Sequence, residues 1–568
     1  MSENYTEGSK TCEYRKRYSM LRDEQSSWRS HWNDITQYLL PRRGRYLQGE
    51  RNDNFSIGGQ QKHEKIINGS AVQALKTLAG GLQGGLTSPT RPWFQLTVAD
   101  DDLAEFQPVR EWLHMVRSAM LQIFSRSNFY GAIHYIYWEL GAYGTAAMFI
   151  EEDMEYVIRC RPMTIGEYVM ALDARYRPCS LMRQFSMTAG QMLEKFGKDK
   201  LPEAVKSALN NATPDLRFEV QHVIEENKER DDSRGDYKGK MFKSVYYPYS
   251  GDNEDQILKE SGYNSIPFIA PRWEVTGVDT YGNSPAMDAL GDVKMLQKME
   301  EKKLMALDKQ VNPPMNAPVA LKNQGATSVS GGVNWIDVAQ GQQSFTPAYL
   351  VNPNLQQMAV EIDRVERRIR GFFFNDLFLS VLQADKNMTA FEVAKRHEEK
   401  LMMLGPIIER QQSESMDLII DRVFNVMTNL NLLPPIPKEL SSGMPIKVEY
   451  ISLLAQAQKM VATAPIEQLV AFVGNVAAAN PDVLDKVDFD EAVDQYSNAL
   501  GVAPKVIRSD DVVVGIRDQK KKMQQAQMIA ANAQPVTQAI KNTAETPVRG
   551  GNTTALDALL GAAGTNPT

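Results

Sequence analysis

Two long helical stretches in the middle of the chain, held apart by about forty residues that cannot be helical, most limit what this sequence can fold into. Ser284 is suited to cap a helix and Pro285 to open one. Nothing then interrupts PAMDALGDVKMLQKMEEKKLMALDKQ until Asn312-Pro313-Pro314. At 1.5 Å per residue that helix, 285–310, would be about 39 Å long. Residues 311–350 are rich in Pro, Gly, Asn and Val, with short strand signals at Pro318–Leu321 and Gly332–Ile336, so a small β-containing module is expected there. Pro353 precedes a second helix, in which Leu355, Met358, Ile362, Val365, Ile369 and Phe372 recur at spacings of 3 and 4. The stripe falls short of three heptads, so it reads as a packing surface, not a free-standing coiled coil.

The next stretch, RIRGFFFNDLFLSVLQADKNMTAFEVAKR (368–396), is apolar from Phe372 to Leu382, broken only by Asn375, Asp376 and Ser380. It is shorter than the ~18 apolar residues a membrane span needs. A polar break follows, and Thr389 with Glu392 forms a T-x-x-E capping box for a third long helix reaching about Leu432. Leu401, Leu404, Ile408, Ile419, Val423 and Val426 are among its apolar positions, and Pro406 is expected to kink it. After Pro434, Pro435 and Pro437 come a strand, Ile446–Ile451, and Ala- and Gln-rich helices from 453 to about 533. The last residues are rich in Ala, Gly, Asn and Thr and are expected to be mobile.

The first half reads as mixed α and β. A helix is expected over 10–40, with Leu21, Trp28, Trp32, Ile35 and Leu39 at helical spacing, and another over 66–86, whose glycines permit close backbone approach. Helices follow near 105–126 and 128–142. Short strands are expected over about 144–187, 217–225, 240–249 and 266–277, with a helical patch at 188–210. ENKERDDSRGDYKGK reads as an exposed hairpin tip. The fold class is therefore α+β, predominantly helical.

The chain has 568 residues, 43% of them hydrophobic and 23% charged, as in ordinary globular proteins. A net charge of −7 does not suit a protein built to neutralise phosphates along its whole surface. Cys12, Cys160 and Cys179 make no metal spacing and fit a reducing compartment. MSENYTEGSK is polar and acidic, so no signal peptide is expected. There is no phosphate-binding loop, dinucleotide fingerprint or G-x-S-x-G; Phe196-Gly197-Lys198-Asp199 lacks the loop's upstream Gly and its Ser/Thr. His31, His63, His114, His134, His222 and His397 are scattered, and each reads more simply as satisfied or exposed than as a ligand. Asp485, Asp488, Asp490 and Glu491 lack the Ca²⁺-loop pattern and read as a solvated helix start. No catalytic residue, metal or cofactor is expected. The charges around Arg364, Arg367, Arg368 and Arg370 read first as a solvated face and alternatively as a contact between adjacent copies.

The order of elements resembles that of the portal proteins of tailed bacteriophages. Five strings, LKTLAGGLQGGLTSPTRPWFQL (75–96), LGAYGTAAMFIEE (140–152), RWEVTGVDTYGNSPAMDALGDVKMLQKM (272–299), MTAFEVAKR (388–396) and VEYISLLAQAQK (448–459), resemble the head-to-tail connector proteins of short-tailed, T7-like phages. The resemblance implies the phage portal fold: 1–283 as an α+β wing, 284–310 as stem helix 1, 311–353 as the clip, and 354–374 as stem helix 2. It implies a channel loop at 375–388, a kinked wing helix and strand at 389–452, crown helices at 453–533 and a flexible tail at 534–568. Gln383, Ala384, Asp385, Lys386, Asn387 and Met388 would narrow a channel. Leu355, Met358, Ile362, Val365, Ile369 and Phe372 would form subunit-interface or stem packing, because copies in a ring can cover apolar stripes that one chain leaves open. Thr389 and Glu392 would cap the wing helix. The implied partners are about eleven further copies, double-stranded DNA held transiently and without sequence preference, a terminase packaging motor, tail adaptors, major capsid and scaffolding proteins, and internal core proteins, with no membrane. The implied location is the capsid vertex of a virion assembled in the host cytoplasm. The competing readings are a DNA-packaging ATPase or nuclease component, and a membrane-interacting pore using Phe372–Leu382.

Overall fold

The computed structural model describes residues 10–44, 46–47, 64–100, 103, 106–249, 256–311, 315–316, 346–347, 354–382, 402–438, 440, 446–452, 454, 469–477, 483, 486–493 and 513–527. They fall into two units, 1–488 and 489–568.

The first unit begins with α1 (Lys10–Glu24) and α2 (Ser26–Tyr38), where the sequence suggested one helix. The break lies at Gln25, which is fully buried and donates through Nε2 to Tyr168 O (3.1 Å) and Tyr281 Oη (2.9 Å). The two helices serve different cores: α1 places Tyr18 against a sheet, and α2 places Trp32 and Ile35 in the main core. Next come α3 (Ser70–Leu86), β1 (Phe94–Val98), α4 (Gln107–Arg126) and α5 (Phe129–Tyr143). A hairpin of β2 (Ala147–Asp153) and β3 (Val157–Met163) follows, in register from Ala147↔Met163 to Asp153↔Val157.

A five-stranded antiparallel sheet is then built from β4 (Tyr168–Leu172), β5 (Pro178–Thr188), β6 (Arg217–Glu226), β7 (Phe242–Pro248) and β8 (Lys259–Tyr263), in that order, with α6 (Ala189–Phe196) and α7 (Glu203–Asn210) between β5 and β6. Residues alternate between its faces, as the pleat requires. Val169, Met182, Val223, Val245 and Tyr247 pack under Tyr18 of α1. Val220 and Tyr246 face the other way and meet Met192, Phe196 and Val205 of α6 and α7. His222 on that face is fully buried. It stacks on Tyr246 at 3.8 Å, and Arg183 Nε donates to its Nδ1 (3.2 Å). Burial, then Arg183, holds its pKa well below the usual histidine range, so it is a neutral structural residue.

The strand expected over 266–277 shrinks to β9 (Phe268–Ile269), which adds to β2, followed by single bridges Thr145↔Arg272 and Glu274↔Asn283. β8 was not expected from the sequence. Two outer strands have their edges covered. Asn128 bonds through its amide to both the N–H and the C=O of Cys160 on β3 (2.9 and 2.7 Å). Gln25 and Tyr281 bond the outer edge of β4 at Tyr168 and Met170.

From Ser284 the chain turns to long helices. α8 (Pro285–Val311) is met along its length by α9 (Leu355–Phe372), with Arg368 paired to Asp292 (3.0 Å). Between them, among the described residues, β10 (Met315–Asn316) pairs antiparallel with β11 (Thr346–Pro347). Both strand signals of the expected β module lie outside the described residues. The segment after α9, expected to be a loop from Asn375, is instead α10 (Asn375–Leu382). A last long helix, α11 (402–429), contains a π-turn at Gln412–Met416. The departure from α geometry therefore lies beyond Pro406, where the sequence placed a kink. Its cause is visible in the contacts. The π-turn carries Glu414 onto Arg272 (2.6 Å), which also donates to Tyr176 O and Asp279 O, while Gln411 donates to Arg272 O. Further along α11, Arg422 is 1% exposed; it reaches Ile150 O, Ser265 and Glu152. Burial holds its pKa below the usual arginine range, with Glu152 opposing the shift in part. β12 (Ile446–Tyr450) pairs with β1, and residues 469–477 are helical. In the second unit, the described residues form helical stretches 489–493 and 513–527, and Arg517 pairs with Asp490.

Removing one partner of a buried pair leaves a charge without compensation. Glu414→Ala is expected to destabilise the fold by roughly 3–5 kcal/mol, read as a lowered denaturation midpoint. Replacing Arg272 and Glu414 together with apolar residues should cost much less.

Candidate functional site

Three contacts carry much of the join between the region of α8 and α9 and the sheet-bearing part, beside others such as Lys294 with Asp34 (2.7 Å), and none of the three is local in the chain.

The first contact is a crossing of two backbones. Gly144 ends α5 in the left-handed region (φ +73°), its N–H donating to Leu140 O (3.0 Å). Its carbonyl accepts from Trp273 N (2.8 Å), and Thr145 Oγ1 accepts from Gly282 N (2.8 Å). A Cβ on Gly144 would overlap Gly282 O, and a Cβ on Gly282 would overlap Gly144 O. Only glycines fit this contact. Two residues later Ser284 caps α8, accepting from Met287 N (3.1 Å) while its hydroxyl donates to Ala142 O (2.8 Å). The cap thus starts α8 and fastens it to the end of α5.

The second contact is polar. Gln297 of α8, 5% exposed, accepts from the N–H groups of Ile67 and Asn68 (2.8 Å each) and donates to Asn68 O (2.9 Å). Asn68 donates in turn to Glu300 of α8 (3.1 Å) and Glu366 of α9 (2.8 Å), and its Oδ1 accepts from Ser70 at the start of α3. One asparagine therefore ties three helices.

The third contact seats the apolar segment. Phe373, Leu377 and Phe378 are 0% exposed, and Phe378 fills a notch in α3 where a Cβ on Gly81 would overlap its ring. The glycines of LAGGLQGGL and the phenylalanine of NDLFL are two halves of one fit. Phe372 points the other way, 39% exposed, into a groove of ≈ 740 Å³ whose walls include Trp273, Pro285, Phe374, Pro406 and Ile407.

Of the residues named from the sequence, Ile362, Val365 and Ile369 are buried within this one chain, at 5%, 4% and 0% exposure. Within the single chain, α8 and the core beneath it supply the partners of these three residues. Leu355 and Met358, nearer the far end, are half-buried. Gln383, Ala384, Asp385, Lys386, Asn387, Met388, Thr389 and Glu392 lie outside the described residues. The sequence reading missed Asn68, Gly144, Gly282, Gln297 and Phe378 as joint residues. Only the paired glycines of 80–85 gave a signal. Among the described residues no cluster of His, Cys, Asp and Glu could hold a metal ion.

Gly144→Ala is expected to cost at least about 2 kcal/mol, from left-handed strain plus the overlap with Gly282. Gly277→Ala, also at positive φ but with open space around it, should cost only about 1 kcal/mol. Thermal denaturation of the two variants checks the difference.

Residues 11–507 match the model of the family described as bacteriophage head to tail connecting protein. The chain is 40% identical to the portal protein of Salmonella phage epsilon15 over 97% of its own length and 98% of the relative's. It is 42% identical to the probable portal protein of Bordetella phage BPP-1 over 91% and 92%. It is 21% identical to the portal protein of Enterobacteria phage T3 over 74% and 75%. With its helical pair rooted in an α+β body and a family match running through both, the chain belongs to the bacteriophage head to tail connecting proteins, the family of the portal proteins.

Proposed function

We propose that this portal protein works as one subunit of a closed ring of about twelve copies, a passive conduit with no catalytic activity of its own. Double-stranded DNA would pass along the axis in both packaging and ejection. In this reading α8 and α9 are the stem, the residues between them the clip, the body before Ser284 together with α11 the wing, and residues 383–388 the part of the channel loop nearest the DNA. The clip would meet first the terminase motor and later the tail adaptors. Capsid, scaffolding and internal core proteins would meet the remaining surfaces, with assembly in the host cytoplasm before the ring becomes part of the virion. A conduit favours weak phosphate contact, since tight binding opposes movement.

The observation that supports ring packing best is the far half of the helical pair. Leu304, Met305, Leu307 and Val311 of α8 and Val360 of α9 are 44–77% exposed in the single chain. Apolar side chains at this density on one short hairpin suit burial against a neighbouring copy. No helix among the described residues is long and apolar enough to cross a membrane.

Leu304→Asp with Leu307→Asp is expected to abolish rings in negative-stain micrographs while leaving the unfolding free energy of the single chain within about 0.5 kcal/mol of wild type. Rings that persist would remove this face from assembly. Deleting Gln383–Met388 should leave rings intact and reduce DNA packaging or retention. Particles that fill and hold DNA normally after the deletion would take those residues out of the mechanism.

A further inference from the structure

The turn between α9 and α10 carries two costs. Phe374 lies at φ +51°, the left-handed region, where glycine is the usual occupant after a helix and a residue with a Cβ is strained. Asn375 is 4% exposed, and its Oδ1 has no hydrogen-bond partner among the described residues. A buried amide oxygen left unpaired is unfavourable. The compensation lies within α10, where Leu377 and Phe378 are fully buried and Phe378 occupies the Gly81 notch. Eight residues are too few for a helix to persist by itself, so α10 keeps its place because of that seat. Its exposed side carries Asp376 and Leu379 (40% exposed).

The geometry points to α10 as a strained lever: Phe374 and Asn375 are its hinge, Phe378 in the Gly81 notch is its catch, and release of the catch displaces the point from which the chain continues past Leu382. Strain at the hinge lowers the free-energy difference between docked and released states without weakening α8 and α9, whose contacts with each other and with Asn68 do not pass through α10. The use of this lever in the ring rests on the reading of residues 383–388 as part of the channel.

Thiol labelling of the full-length assembled chain, in a background lacking Cys12, Cys160 and Cys179, tests it. Leu377 and Ile369 are both 0% exposed, on α10 and α9. Leu377→Cys is expected to react at least about tenfold faster than Ile369→Cys, because local opening exposes the first and not the second. Adding Phe374→Gly, which relieves the hinge, should slow Leu377→Cys about fivefold. Adding Gly81→Ala, which fills the notch, should speed it while leaving Ile369→Cys unchanged. Equal rates at the two positions, or a Leu377→Cys rate unmoved by Phe374→Gly, would overturn the lever. Phe374→Gly also gives up the partial burial of that ring against the core, so Phe374→Ala, which loses the ring and keeps the strained φ, is its reference, and the comparison remains informative even where Gly81→Ala fails to fold. Labelling reads α10 without DNA, so its outcome is separate from that of the deletion of Gln383–Met388.

Discussion

The start and direction of α8 depend on a place where two backbones pass closer than any side chain allows. At Gly144 and Gly282 the end of one helix and the approach to another are in direct contact, with Thr145, Trp273 and Ser284 hydrogen-bonded around them. Such a contact is stiff, because it has no rotatable side chain to yield. The stiffness matters for the 27-residue α8 that starts there. At 1.5 Å per residue, a 10° error at its root would displace its tip by about 7 Å. Gln297 and Asn68 add a second fixed point partway along, so the direction of the helical pair is set twice.

The helices and most strands of the first unit were readable because each satisfies a local rule. Ser284 and Pro285 announce α8, and the stripe from Ile362 to Ile369 announces a packing face. The features that join these elements were not readable, since their two halves lie far apart in the chain. Phe378 looks like an exposed liability until Gly81 is brought beneath it. Glu414 looks like a solvated helix residue until Arg272 arrives, and the π-turn that aims it has no composition of its own. The same distance explains why a polar residue, Gln25, could divide a helix: its partners are Tyr168 and Tyr281. For the candidate site, the apolar stripe was recognised as a packing surface, and the spacing alone left open whether the covering came from this chain or from other copies.

The buried arginines show how the last long helix is held. Arg272 and Arg422 are both nearly inaccessible, and each satisfies its guanidinium with backbone carbonyls or a hydroxyl as well as one carboxylate. Ion pairs of this kind add little to net stability, because desolvation offsets attraction. Their geometry is exacting, however, and it admits one register of α11 against β2 and β9. Apolar contacts alone, such as those of Ile419, Val423 and Val426, would tolerate sliding more readily.

The side chains laid along the edges of β3 and β4 bear on how many copies of such a chain can be crowded together. An uncovered strand edge is a template for another chain, and the risk grows with local concentration. In any assembly of identical subunits, that concentration is high. Asn128 occupies the outward N–H and C=O of Cys160, and Gln25 and Tyr281 occupy those of the neighbouring sheet. At those positions the outward backbone groups are not open to a further strand. Growth by strand addition has no natural end, whereas helix faces meeting at a fixed angle close on themselves after a set number of copies. Occupying edge positions thus removes one route to open-ended growth.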